Sequence, residues 1–271
     1  MIRRLEIASL CLVLALGAWG WRASTAEAAS AFADWASVVV AGDFHAHSGE
    51  PSEAFDNARR DVARALVGIG FSPADMRQFS VRPERYPDEH VMIAEPGLIG
   101  DKLADIAAEA PGGCLVYFTS HGSPAGVVVG PRLLSPAGLS QMVDEACGQR
   151  PTVVIISACF SGVFVPPLAR PDRMVLTAAR PDRSSFGCGS SDRYPYFDAC
   201  MIATVPASID FADLGRRVQA CVAEKEKATG MAPPSEPQLF VGSELKAVIG
   251  FYPFTHDVAA GPPLSRVRRT P

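Results

Sequence analysis

The chain has 271 residues, of which 48% are hydrophobic and 20% charged, enough apolar content to bury a substantial core and too much for a disordered chain. The formal net charge is −4, and no basic stretch interleaves with aromatics, which argues against nucleic acid as a partner. The length suits one large domain or two small ones.

The N-terminus reads as an export signal. Arg3 and Arg4 precede an apolar run from Ile7 to Trp19, and Ala26-Glu27-Ala28 fits a small-x-small cleavage site. Residues 1–28 are therefore expected to be a signal peptide, and the mature protein to be periplasmic or secreted. The apolar run is shorter than the roughly 20 residues that span a bilayer comfortably. An uncleaved anchor is the competing reading, and no other membrane association is expected. Cys11 lies within the run, and its neighbours poorly suit lipid attachment.

Next comes an alternation of apolar strands and amphipathic helices. Ser37-Val38-Val39-Val40-Ala41 reads as a buried strand. Phe55, Ala58, Val62, Ala65, Leu66 and Ile69 recur at helical spacing and predict a helix ending near Gly70. Gln78 to Val81 suggests a short strand, and Leu98, Leu103, Ile106 and Ala107 a second helix. Cys114 to Thr119 is a nearly continuous apolar strand that runs into Ser120-His121-Gly122. Val127 to Val129 and Leu133-Leu134 form a small hairpin, and Ser135-Pro136 starts a helix with a capping hydroxyl and Pro in the first turn. Thr152 to Ala158 is the strongest strand and runs into Cys159-Phe160-Ser161-Gly162. Met174 to Ala178 is another strand, Arg180 to about Cys200 a long polar loop, Phe211 to Val222 a late helix and Leu239 to Val241 a final strand. The domain is expected over 29–256, with a Pro- and Arg-rich flexible tail at 257–271. The order predicts an α/β fold: a mostly parallel sheet with helices on both faces, binding its ligand at the carboxyl ends of the strands.

Six cysteines follow the apolar run, with no CxxC spacing, so no structural metal is expected. If Cys159 stays reduced, the five others cannot all pair within one chain. Cys188 and Cys200, flanking one loop, are the expected bridge. Asp43-Phe44-His45-Ala46-His47 alternates possible zinc ligands. The preferred reading is a solvated loop, which leaves the first strand on the ligand-binding edge and so lines a cleft.

Two strands thus end in a reactive side chain beside small residues, at His121 and at Cys159. Consecutive parallel strands are often neighbours, so the pair should face each other across the sheet edge. An imidazole beside a thiol can hold a reactive thiolate. Gly122 lets its N–H approach a substrate carbonyl and form an oxyanion hole with the N–H of Cys159. A Cys after a buried strand, or a His-Gly at a strand end, is more often structural when alone; the joint arrangement favours chemistry.

The motifs around His121-Gly122 and Ser157-Ala158-Cys159-Phe160-Ser161-Gly162 resemble those of the legumain, or asparaginyl endopeptidase, family of cysteine peptidases. So do Val175 to Ala179, Ser184-Ser185-Phe186, Val39 to Gly42, and Asn57 with Asp61. The resemblance spans about Val38 to Phe240. It implies a caspase-like three-layer sandwich, His121 as base, Cys159 as nucleophile, an acyl-enzyme, a peptide or protein substrate and no cofactor. It implies substrate-binding roles for Asn57 or Arg59 in the first helix, for Ser120, where the family commonly has an acid, and for Asp182, Arg183 and Ser184. A preference for Asn or for Asp beside the cut stays open, as do transamidation, a thiol esterase or amidase activity, and a non-catalytic peptide-binding protein of the same fold.

Overall fold

A strand that is apolar at consecutive positions needs cover on both faces. The chain meets that need with a seven-stranded central sheet in the order β10-β9-β8-β4-β1-β2-β3. The computed structural model describes residues 30–256; the expected signal segment and tail lie outside them. In chain order the elements are β1 (Trp35–Ala41), α1 (Ala54–Gly68), β2 (Met76–Ser80), β3 (Met92–Ile93), α2 (Pro96–Glu109) and β4 (Gly113–Thr119). Then come β5 (Gly122–Ser123), β6 (Gly126–Val129), β7 (Arg132–Leu134), α3 (Pro136–Cys147), β8 (Thr152–Ser157), α4 (Val165–Leu168) and β9 (Arg173–Thr177). The described part closes with α5 (Tyr196–Thr204), α6 (Phe211–Thr229), β10 (Gln238–Val241) and α7 (Ser243–Val248). All neighbours in the main sheet are parallel except β10, which runs antiparallel to β9. A small antiparallel sheet, β5-β6-β7, stands beside it.

Alternation along each strand divides the core in two. Val39, Leu115, Tyr117, Val153 and Ile155 face α1, α5 and α6. Val38, Val116, Phe118, Val154 and Ile156 face α2 and α3. The result is the expected α/β sandwich of three layers. α3 begins as its sequence indicates: the Ser135 hydroxyl accepts from the Gly138 N–H at 3.1 Å, and Pro136 occupies the first turn.

Two features differ from the sequence reading. α5 begins inside the segment expected to be loop as far as Cys200 and runs on to Thr204. Phe197, Cys200 and Met201 form its buried face, but the outward Ala199, Ile202 and Ala203 are apolar too, so no polar stripe marks the helix. The disulfides also differ. Cys114 pairs with Cys147, and Cys200 pairs with Cys221, while Cys159 and Cys188 are free. The expected Cys188–Cys200 bridge does not form, because α5 turns Cys200 onto α6 and leaves Cys188 in the loop before it. The sequence separations of 33 and 21 residues make each bridge worth roughly 3 kcal/mol in lost unfolded-state entropy. One pins α3 to β4, the other α6 to α5.

Candidate active site

β4 and β8 are adjacent, in register from Cys114↔Thr152 to Thr119↔Ser157. Side chains two residues further on share the face of Thr119 and Ser157. That places His121 and Cys159 together at the carboxyl edge, over the α1 and α5 side of the sheet. Both line one cavity of ≈ 350 Å³, with His47, Ser184, Ser185, Phe186, Gly187, Cys188, Gly189 and Asp192.

The chain leaves β8 through a sharp turn. Phe160 adopts a left-handed conformation, φ 57°, and donates its N–H to Arg183 O at 2.7 Å. A bulky residue there costs about 1–2 kcal/mol and signals a site whose geometry is imposed. The Ser161 hydroxyl accepts from the Ala179 N–H at 3.1 Å, and a Cβ on Gly162 would fall 2.5 Å from Pro181. These contacts explain why small residues follow the cysteine. The Cys159 sulfur meets the Ser185 N–H at 3.3 Å and the Ser185 carbonyl at 3.5 Å. The N–H is a donor that a thiolate accepts more strongly than a thiol does.

His121 is held from the other side. Its Nε2 lies 2.9 Å from the carbonyl oxygen of His45, which can only accept, so Nε2 carries the proton. A neutral ring then keeps its lone pair on Nδ1. The ring also packs edge-on against Phe55 of α1, at 5.1 Å between centroids. The His45 carbonyl is itself fixed: the loop closes with Ala46 N–H to Glu50 O at 2.6 Å and Ser52 N–H to Phe44 O at 2.7 Å. This loop was read from the sequence as a solvated segment lining a cleft. It does line the cleft, through His47, and no side-chain pattern could have revealed the role of the His45 carbonyl. The His45 ring turns away to Asp43, 2.7 Å from its Oδ1.

Gly122 approaches the turn after β8 closely. A Cβ there would stand 2.4 Å from Cys159 O and 2.9 Å from Ala158 Cβ. Gly122 pairs with Val127 in the hairpin, while the Val128 N–H goes to His121 O at 2.9 Å. In an antiparallel ladder, that leaves Gly122 at a position whose N–H is not used between the strands.

Among the expected substrate-facing residues, the cavity includes Ser184 but not Asn57, Arg59, Ser120, Asp182 or Arg183. The reasons are specific. Arg59 is 0% exposed; it pairs with Asp56 at 3.3 Å and Glu89 at 3.0 Å and lies 4.8 Å from the centre of the Tyr86 ring. Fully buried among these partners, it serves as a structural ion pair. The Ser120 hydroxyl is buried on Val128 O at 2.8 Å. Asn57 donates to Arg193 O at 3.2 Å and so tethers the cleft wall to α1. Asp182 pairs with Arg180 and Arg183 on the surface. Cys188 and Asp192, which also line the cavity, were not among the expected site residues. The His47 N–H donates to Cys188 O at 3.0 Å, and the Ser52 hydroxyl to Gly189 O at 3.3 Å, so the loops after β1 and before α5 are clasped together.

The Peptidase C13 family model matches residues 106–220, a span that begins in α2, includes His121 and Cys159, and ends in α6. Together with the fold, this match supports a cysteine peptidase of the legumain type. Among solved structures, this chain is similar to caspase-1 from Spodoptera frugiperda. The TM-score is 0.56 at 15% identity, over 78% of this chain and 88% of that one, a likeness that establishes the caspase-like fold. No curated protein matches the chain.

Cys188 is a second free thiol of the cleft. Burial, reinforced by the charge of Cys159, pushes it up to about 11. A thiol shifted upward is almost wholly protonated at neutral pH and unreactive. Iodoacetamide at pH 7 to 8 should therefore alkylate Cys159 first, with Cys188 modified only as the pH nears about 11. Peptide mapping by mass spectrometry checks this; Cys188 reacting first at neutral pH would contradict it.

Proposed function

We propose that this peptidase cleaves peptide bonds through His121 and Cys159. The observation that carries the reading is their shared cavity at the ends of adjacent strands, with the His121 Nε2 committed to the His45 carbonyl. Nδ1 of His121 removes the thiol proton, and the Cys159 sulfur attacks the carbonyl carbon. The N–H groups of Gly122 and Cys159 stabilise the oxyanion. His121 returns the proton to the leaving amine as the C–N bond breaks, and water, deprotonated by the same ring, hydrolyses the thioester.

The side chain on the acyl side of the cut enters the space between His47 and Asp192. One potential donor and one acceptor suit an uncharged amide, whereas a carboxylate would face Asp192. This supports Asn over Asp, and the burial of Arg59 removes the cation that would have favoured Asp. Two disulfides and the signal-like N-terminus support export to an oxidising compartment. Among the described residues, no helix is long and apolar enough to cross a membrane.

A peptide library with every residue at the acyl-side position tests the reading. Cleavage after Asn is expected. Cleavage chiefly after Asp overturns the pocket assignment, and hydrolysis of small esters without any peptide cleavage overturns the peptidase mechanism.

A further inference from the structure

A carboxylate lies behind the strand ends that carry His121 and Cys159. Asp198, in the first turn of α5, is 0% exposed. The Tyr117 hydroxyl donates to its Oδ1. The Thr119 hydroxyl reaches Oδ2 at 2.9 Å and the Ser157 hydroxyl at 2.8 Å. Tyr117 and Thr119 belong to β4, and Ser157 is the partner of Thr119 on β8. Thr119 stands two residues before His121, and Ser157 two residues before Cys159. The helix bearing Asp198 also receives the cleft wall, since the Tyr196 N–H donates to Phe186 O at 2.9 Å. One carboxylate thus joins the base strand, the nucleophile strand and the wall.

No cation offsets this charge among the described residues: three hydroxyls and a backbone N–H hold it against the cost of burial. Tyr117 is the one titratable group that meets it, and burial beside Asp198 holds that phenol well above its ordinary value, so it stays neutral. Burial pushes Asp198 itself up to about 6. Four apolar side chains would pack here at lower cost, because an uncompensated buried charge is a net penalty. Penalties of this kind concentrate where geometry serves function.

We infer that Asp198 is a positioning residue for the cleavage reaction: it clamps the ends of β4 and β8, so that His121 and Cys159 keep their mutual placement. The inference rests on the proposed roles of that pair.

Asp198→Asn, close in size and uncharged, is the test. The expected result is a kcat at least tenfold lower with KM within about twofold, because the substrate-contacting residues are untouched. Thermal stability should move the opposite way. A carboxyl with a raised folded value contributes stability that is fully present below its unfolded value and lost as pH rises through about 6. The variant should therefore be as stable as the wild type or more so at pH 7 to 8, with the two converging below about pH 4. Iodoacetamide alkylation of Cys159, followed by peptide mapping, should slow in the variant in parallel with kcat. That readout needs no substrate, so it still tests the clamp if the wild type cleaves no peptide. Unchanged kcat and alkylation rate in a folded variant overturn the inference, and so does a fall in kcat that only tracks a fall in melting temperature. Should the variant fail to fold, Ser157→Ala and Thr119→Val each remove one hydroxyl. Both should lower kcat and slow alkylation, and wild-type values in both overturn the inference.

Discussion

Cys159→Ala will abolish peptide hydrolysis and leave the fold in place. Loss of the sulfur removes the proposed nucleophile, and such substitutions lower kcat by on the order of 10⁴-fold or more. Little structure depends on the thiol. It is half-buried and its contacts are with Ser185, whose N–H and carbonyl lie at the cleft and can turn to water. The expected cost to stability is about 1 kcal/mol or less. Circular dichroism and a melting curve check the fold, and progress curves on the best library peptide check the activity. Wild-type turnover in this variant would remove Cys159 from the mechanism. His121 would then need another partner, and Cys188, protonated at neutral pH, is a poor one.

Gly122→Ala should have the next largest effect. The added methyl would sit 2.4 Å from the Cys159 carbonyl oxygen and 2.9 Å from Ala158 Cβ, closer than real Cβ contacts come. Both obstacles belong to the nucleophile turn, not to a flexible side chain, so either the start of the hairpin or the turn itself must move. Either movement displaces an N–H that the proposed mechanism assigns to the oxyanion. Removal of one such donor costs about 10²–10³ in kcat, roughly 3–4 kcal/mol of transition-state stabilisation. KM should change little, because the oxyanion exists only after attack. A loss confined to KM would place Gly122 in substrate binding and leave the oxyanion hole to other donors.

These expectations differ in how far the sequence supported them. The strands ending at Thr119 and Ser157 were visible as apolar runs because parallel strands buried on both faces have no polar alternation to dilute the signal. The residues after them, His121-Gly122 and Cys159 to Gly162, were visible because chemistry and a tight turn each demand particular residue types. α5 was invisible for the opposite reason: Phe197, Cys200 and Met201 form its buried face, but Ala199, Ile202 and Ala203 opposite them are apolar too, and a polar-looking loop precedes it. The disulfides could not be read from spacing, since Cys200 finds Cys221 only once α5 lies against α6.

The pocket was misread more instructively. The family resemblance implies a substrate-binding role for Asn57 or Arg59 in the first helix. In the fold the Arg59 guanidinium points to Asp56 and Glu89, away from the cavity. His45 matters through a backbone carbonyl, which every residue has and no sequence advertises. Asp198 is one carboxylate among 29 acidic side chains until Tyr117, Thr119 and Ser157 converge on it.

By itself, the sequence determined the two-sided sheet, the order of its central elements and the two reactive side chains, because hydrophobic period, turn chemistry and nucleophile identity are local properties. Only the tertiary structure decided which carbonyl holds the His121 proton, which residues wall the cavity and which cysteines pair. Those depend on where segments far apart in the chain meet. The pairing of β4 with β8, and the closing of the loop after β1 onto the loop before α5, are long-range events whose partners carry no mark in their own sequence.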